Sequence, residues 1–407
     1  MTRPAIELAD IVRAFGPAFE EQYGHTLSPA QRQAMRSISR CRTAALGGHV
    51  EACDECRHQR IAYNSCRNRH CPKCQAAARA EWLDRQAEDL LPVEYFHVVF
   101  TLPTAVGPLA LQNPRLVHGA LFRAVAASLT ELAADPKRLG AELGFLAVLH
   151  TWGQTLTLHP HVHCVVPGGG LSPDGTRWVS CLPGFFLPVK PLGRLFRGKF
   201  LALLGEHHAR GRLRLAGSLH DLACPRRFAE WIGVLRATDW VVYAKPPFGG
   251  PEQVLRYLAR YTHRVALANS RLVGMDADTV SFRWKDYADG DRSKVMTLSG
   301  VEFVRRFLQH VLPTGFVRIR HFGFLANRCR DEKLARCRAL VGAPPPTTPL
   351  DESALEASPN EGDEPGVGAA SPLPRCCPAC GRGRMIVAEV LPRPSPRRPV
   401  DVSADTS

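Results

Sequence analysis

Residues 156–166 read Leu-Thr-Leu-His-Pro-His-Val-His-Cys-Val-Val, and this stretch decides the fold. Its apolar and β-branched residues describe a buried strand. Side chains two apart on a strand share a face, so His161 and His163 project together, ready for one metal ion. Alone, a His-x-His is more often structural than catalytic. A second string, Tyr257-Leu258-Ala259-Arg260-Tyr261, lies in Pro251–His263, where Leu255 and Leu258 give a helical spacing. Tyrosines four apart on a helix lie one turn apart on one face. A metal-binding pair and two phenols on one helix are what covalent DNA cleavage needs.

Five strings carry a resemblance across nearly the whole chain: Gly-Gly-His-Val-Glu-Ala-Cys-Asp-Glu-Cys (47–56), Asn-Ser-Cys-Arg-Asn-Arg-His-Cys-Pro-Lys-Cys (64–74), His-Val-Val-Phe-Thr-Leu-Pro (97–103), His-Pro-His-Val-His (159–163) and Tyr-Leu-Ala-Arg-Tyr-Thr-His-Arg-Val-Ala (257–266). In this order they resemble the HUH (His-hydrophobic-His) endonucleases, specifically the two-tyrosine rolling-circle transposases of bacterial insertion sequences. The resemblance implies an α+β HUH endonuclease core, an antiparallel sheet with packed helices, behind a small zinc-ribbon-like domain. It implies Tyr257 and Tyr261 as nucleophiles, a 5′-phosphotyrosine intermediate, and single-stranded DNA at element ends and target site as substrate. Host replication or helicase proteins are expected partners, because no G-x-x-x-x-G-K-[S/T] loop is present.

Two imidazoles hold a catalytic ion poorly, and the resemblance implies a third polar donor. Gln154, seven residues before His161 on the preceding strand of an expected hairpin, is the first choice, since cross-strand neighbours approach within about 5 Å. His159 and His150 compete for the place, with Gln253 behind them. A hard cation, Mg²⁺ or Mn²⁺, is expected there.

Fourteen cysteines in this chain do not describe a disulfide scaffold. Cys53-Asp-Glu-Cys56 and Cys71-Pro-Lys-Cys74 are two C-x-x-C knuckles, a spacing that suits tetrahedral Zn²⁺ in a reducing compartment. Cys66 and His70, with Cys41 and His49, offer donors for a second zinc. A third half-knuckle, Cys376-Cys377-Pro-Ala-Cys380, has Cys329, Cys337 and His321 as candidate partners. Arg67, Arg69 and Lys73 stud the zinc loops, and Phe282-Arg283-Trp284-Lys285 interleaves aromatics with cations, so Arg283, Trp284 and Lys285 join them as candidate DNA contacts.

The formal net charge of +14 favours a polyanionic partner. Residues 341–374 hold six acids, eight prolines and no Lys or Arg, the composition of a disordered linker. The expected organisation is a helical and zinc-binding domain over 1–90, a catalytic domain over 91–340, the linker, and a mostly unstructured tail over 375–407. Helices are expected at 5–14, 29–40, 75–90, 113–134, 192–206 and 301–311, and strands at 95–102, 144–157, 159–166, 239–244, 279–285, 293–298 and 316–324. Irregular alternation of this kind suits an α+β sheet. No apolar run of membrane-spanning length stands out, so no membrane partner is expected, and the absence of a basic-then-apolar leader predicts a cytoplasmic protein. A rolling-circle replication initiator or plasmid relaxase would share the His pair and tyrosine. A non-catalytic zinc-dependent DNA-binding regulator is the rival from another class; intact His161, His163, Tyr257 and Tyr261 argue against it.

Overall fold

The computed structural model describes residues 6–75, 82, 89–248, 253–254, 265–342 and 376–394. At its centre is a five-stranded sheet in which every neighbouring pair is antiparallel. The strands are β3 (Tyr95–Thr101), β4 (Gly144–Trp152), β5 (Leu158–Pro167), β8 (Val242–Phe248) and β12 (Ile319–Gly323), in the order β12-β4-β5-β3-β8. The histidine strand β5 is therefore the middle one.

Alternation assigns the two faces of this sheet. Val162, Cys164 and Val166 of β5 lie with Phe96, Val98 and Phe100 of β3 and Phe145, Ala147 and Leu149 of β4 in the largest apolar core. That core is covered by Pro114–Ala134 and Val189–Ala209, two long helices that pack on each other. The first is apolar enough, by length and composition, to cross a membrane, contrary to the expectation that no segment would be. Val117, Leu121, Phe122, Val125 and Leu129 along it are completely buried against the sheet, as in a core helix. The opposite face carries His161 and His163, with Leu146, Val148 and Val165 behind them.

A second core joins the two ends of the described sequence. Helices α1 (Leu8–Tyr23) and α2 (Pro29–Ser39) bury Phe15, Phe19, Met35 and Ile38 against Val280 and Phe282 of the β9-β10-β11 sheet (Leu272–Met275, Thr279–Asp286, Arg292–Ser299) and Phe303 and Phe307 of the helix Gly300–Leu308. Residues on either side of position 90 thus bury apolar surface together. Ser28 caps α2, accepting from the Gln31 N–H in a capping box with Pro29 at the first turn. α1 runs past the expected end at residue 14, because Gly16-Pro17 does not stop a helix whose next turn brings Phe19 into this core. The tip of the β4–β5 hairpin reaches the same core: Leu156 takes a positive φ of 59° there and is fully buried. Such a backbone is strained by about 1–3 kcal/mol for a non-glycine residue, and burial of the leucine offsets it.

The tail differs from expectation. Met385–Leu391 forms β13, which pairs antiparallel with β1 (Gly48–Cys53), itself paired with β2 (Gln59–Tyr63). Residues 386–391, read from composition as unstructured, are the third strand of the amino-terminal ribbon. Gly169 and Gly170 belong to a short strand pressed on the Glu142 backbone and Trp178, where a Cβ would collide.

Candidate metal centres

His150, His161 and His163 offer ring nitrogens that all lie within 4.8 Å of one another. His150 and His161 are directly paired residues of β4 and β5, and His163 is two further along β5. Beyond that pair, β4 advances two residues to Trp152 while β5 spans three to Leu158, so a bulge at His159-Pro160 terminates the regular ladder beside the cluster.

Each ring is held in place. His161 Nδ1 lies 2.6 Å from the His159 carbonyl, which fixes Nδ1 as the protonated nitrogen and leaves Nε2 as the free lone pair. His163 Nδ1 is 2.8 Å from His97 Nε2, and the two rings stack at 5.1 Å. His163 is buried, its ring centroid 4.5 Å from that of His150 and 4.8 Å from that of His161. His150 stacks on Trp152 at 4.6 Å. Burial pushes the His161 pKa down to about 4 and that of His97 to about 3, so both are neutral at pH 7. Three converging imidazoles, two of them buried, fit a divalent ion.

This replaces Gln154 as the third donor. Gln154 sits in the hairpin turn past the bulge, and its amide donates to the Tyr287 hydroxyl at 3.0 Å. Register decides the matter, because His150, not Gln154, lies opposite His161. His97 was not singled out as a site residue. Its position, two before Val99, which pairs with His163, was the available signal. A His97→Ala protein should bind the centre's metal about 10–100-fold more weakly, as loss of an orienting partner does; unchanged affinity in a calorimetric titration with Mn²⁺ would show that the His97–His163 contact does no orienting.

The cysteines form two tetrads, not the single Cys53/Cys56/Cys71/Cys74 set read from spacing. Cys71 and Cys74 join Cys41 and Cys66, with Cys41–Cys71, Cys41–Cys74 and Cys66–Cys74 sulfurs each 3.6 Å apart. Cys53 and Cys56 join Cys377 and Cys380 from the tail, with sulfurs 3.8 Å (Cys53–Cys380) and 3.6 Å (Cys56–Cys377) apart. Zn–S bonds of about 2.3 Å require tetrahedral edges of about 3.8 Å, so both tetrads fit zinc. Sulfur contacts from Cys66 and Cys71 draw the Cys41 thiol down to about 7, and the Arg382 and Gly383 N–H groups draw Cys380 to about 6. Gly383 packs on Cys53 Sγ so closely that a Cβ has no room.

The other proposed donors fall outside these tetrads. His49 pairs with Glu51 at 3.2 Å. His70 is half-buried, its pKa pushed down to about 3 by desolvation of the ring, and belongs to neither set. Cys329 contacts the Gly323 and Ala326 carbonyls, and Cys337 is buried beside Leu334.

Among the candidate DNA contacts, Arg69 donates to the carbonyls of Leu312, Pro313 and Phe316, and Lys73 pairs with the buried Glu7 at 2.6 Å. Both are internal ties from the zinc loop to neighbouring elements. Phe282 and Trp284 point into the second core while Arg283 is exposed on the other face, because a strand alternates. Aromatics and cations are therefore not interleaved on one surface. Arg67 is exposed, and Lys285 is half-buried. Tyr257 and Tyr261 lie outside the described residues.

Fold and sites together define an α+β protein with a three-histidine centre on two adjacent strands of an antiparallel sheet and a two-tetrad zinc module. Residues 11–102 match the family model described as "Transposase zinc-binding domain", and residues 144–333 the one described as "Putative transposase". The chain is 55% identical over 391 residues to "Putative transposase y4qJ" of Sinorhizobium fredii (strain NBRC 101917 / NGR234), covering 96% of this chain and 97% of that protein. It is 31% identical over 327 residues to the transposase for insertion sequence element IS801 of Pseudomonas savastanoi pv. phaseolicola, covering 76% of this chain and 74% of that protein. A solved structure of conjugative relaxase TrwC in complex with oriT DNA aligns at 14% identity and a TM-score of 0.22, over 42% of this chain and 74% of that one. The chain belongs to the IS91/IS801 family of insertion-sequence transposases, which carry an amino-terminal zinc-binding domain.

Proposed function

We propose that this transposase nicks and rejoins single-stranded DNA at element ends through a 5′-phosphotyrosine, driving rolling-circle transposition. The observation that carries the reading is the His150/His161/His163 cluster, whose ring nitrogens all lie within 4.8 Å of one another. An ion held there supplies positive charge to polarise the scissile phosphate. Three imidazoles favour a transition-metal ion over Mg²⁺, which prefers oxygen ligands; Mn²⁺ remains compatible with the expected pair of cations.

Tyr257 or Tyr261 attacks phosphorus in line. A tyrosine O–P bond forms, the P–O3′ bond breaks, the phenol proton passes to solvent and the departing 3′-oxygen takes one up. The phosphodiester's energy stays in the new ester, so rejoining needs no ATP.

The test is a labelled single-stranded element end incubated with protein and Mn²⁺ or Mg²⁺. A protease-sensitive adduct should form with the parent and with either Tyr→Phe single variant. It should be absent from the Tyr257→Phe/Tyr261→Phe protein, which still binds DNA. Cleavage to a free 5′-phosphate by the double variant would make water the nucleophile.

A further inference from the structure

A groove of about 430 Å³ lies between α2 and the zinc module, lined by Arg32 and Arg36 of α2, Arg40 capping its carboxyl end, Ser65 of the zinc loop, Leu46, and Arg393 just past β13. Arginines at four-residue steps stand on one helix face about 6 Å apart along the axis. No carboxylate lines the groove among the described residues. Arg36, Arg40 and Arg393 are exposed, and only Arg32 and Arg393 use guanidinium N–H groups on neighbouring carbonyls, those of Gly24 and Leu46. Like charges at this spacing are mutually destabilising on a helix. A fourth guanidinium arrives from a segment more than 300 residues away, held by the Cys53/Cys56/Cys377/Cys380 tetrad and the β1–β13 pairing. Four cations brought together without a protein counter-charge form a site for a polyanion.

We infer that this groove binds the sugar-phosphate backbone of double-stranded DNA, holding the duplex that flanks the cleaved strand. Guanidinium forks match phosphate oxygens bidentately. Unpaired strands are held by aromatic side chains that stack on bases, and no aromatic residue lines this groove. The tail tetrad then has a binding role: it fixes the segment that carries Arg393. The inference rests on the reading of the chain as a transposase acting on DNA ends, but its test does not involve cleavage.

The measurement is the affinity of the full chain for a blunt duplex across a salt series, without added Mg²⁺ or Mn²⁺. Each phosphate contact contributes about 0.9 to the slope of log K against log[salt], or about eightfold in affinity at 0.1 M salt. Arg36→Ala/Arg40→Ala should lower the slope by about 1.8, and Arg393→Ala by about 0.9. Arg36→Lys/Arg40→Lys should keep the slope, because the charge is retained. Affinity for an oligothymidylate should change less than about twofold in all three. Zinc content at the parent level reports an intact module, and the lysine pair supplies a folded protein if the alanine pair is unstable. A parental slope and affinity in the alanine and Arg393 variants overturns the inference. Equal losses on duplex and oligothymidylate also overturn it, by making the groove a single-strand channel.

Discussion

A His163→Ala protein is expected to bind single-stranded DNA nearly as well as the parent and to form its covalent adduct at least about 10³-fold more slowly, a loss of about 4 kcal/mol of transition-state stabilisation. His163 is buried in the cluster, where its ring offers the ion one of three nitrogens. Removing it leaves a two-imidazole site and strips His97 Nε2 of its partner. DNA affinity should survive because phosphate contacts to Lys and Arg supply most of it. His150→Ala should behave in the same way, and Gln154→Ala should not. If DNA binding falls in step with cleavage, or if Gln154→Ala is as damaging as His150→Ala, the cluster is structural and the proposed centre is wrong.

The second large effect concerns zinc. The chain should hold two zinc ions, and a protein ending at residue 375 should hold one, because Cys377 and Cys380 complete the outer tetrad. Cys71→Ser should lose the other ion. Structural zinc contributes about 10–16 kcal/mol in small modules at pH 7, so this change should unfold the amino-terminal module. The inner tetrad is also the better protected: Cys41, Cys71 and Cys74 are buried, whereas Cys56 is exposed. Cys53→Ser and Cys71→Ser should therefore remove different ions. One ion per chain, indifferent to the tail and lost with either substitution, would restore the single Cys53/Cys56/Cys71/Cys74 site.

Much of the fold was legible because its signals are local. The period of two around His161 and His163 marks both faces of β5, and the Ser28-Pro29 start of α2 is a capping signal read from adjacent residues. The helix Pro225–Ala237 was missed. Its Phe228, Trp231, Ile232 and Leu235 recur at helical spacing and pack on the main core, so the signal was present in the sequence. Composition also misled at the tail, where β13 is largely exposed and gains its strand from hydrogen bonds to β1 rather than from burial.

The sequence by itself determined the chemistry of the molecule: a His-hydrophobic-His strand, cysteines in C-x-x-C pairs and a basic surface follow from residue type and near spacing. Tertiary structure decided which of these groups meet. Cross-strand register put His150 opposite His161 and left Gln154 in the turn. Return of the chain after more than 300 residues brought Cys377 and Cys380 to Cys53 and Cys56, freeing Cys71 and Cys74 to close with Cys41 and Cys66. The physical reason is that a ligand set depends on distances of a few ångströms between side chains. Local spacing fixes such distances only within one turn or strand, and between segments they follow from how the sheets and cores pack.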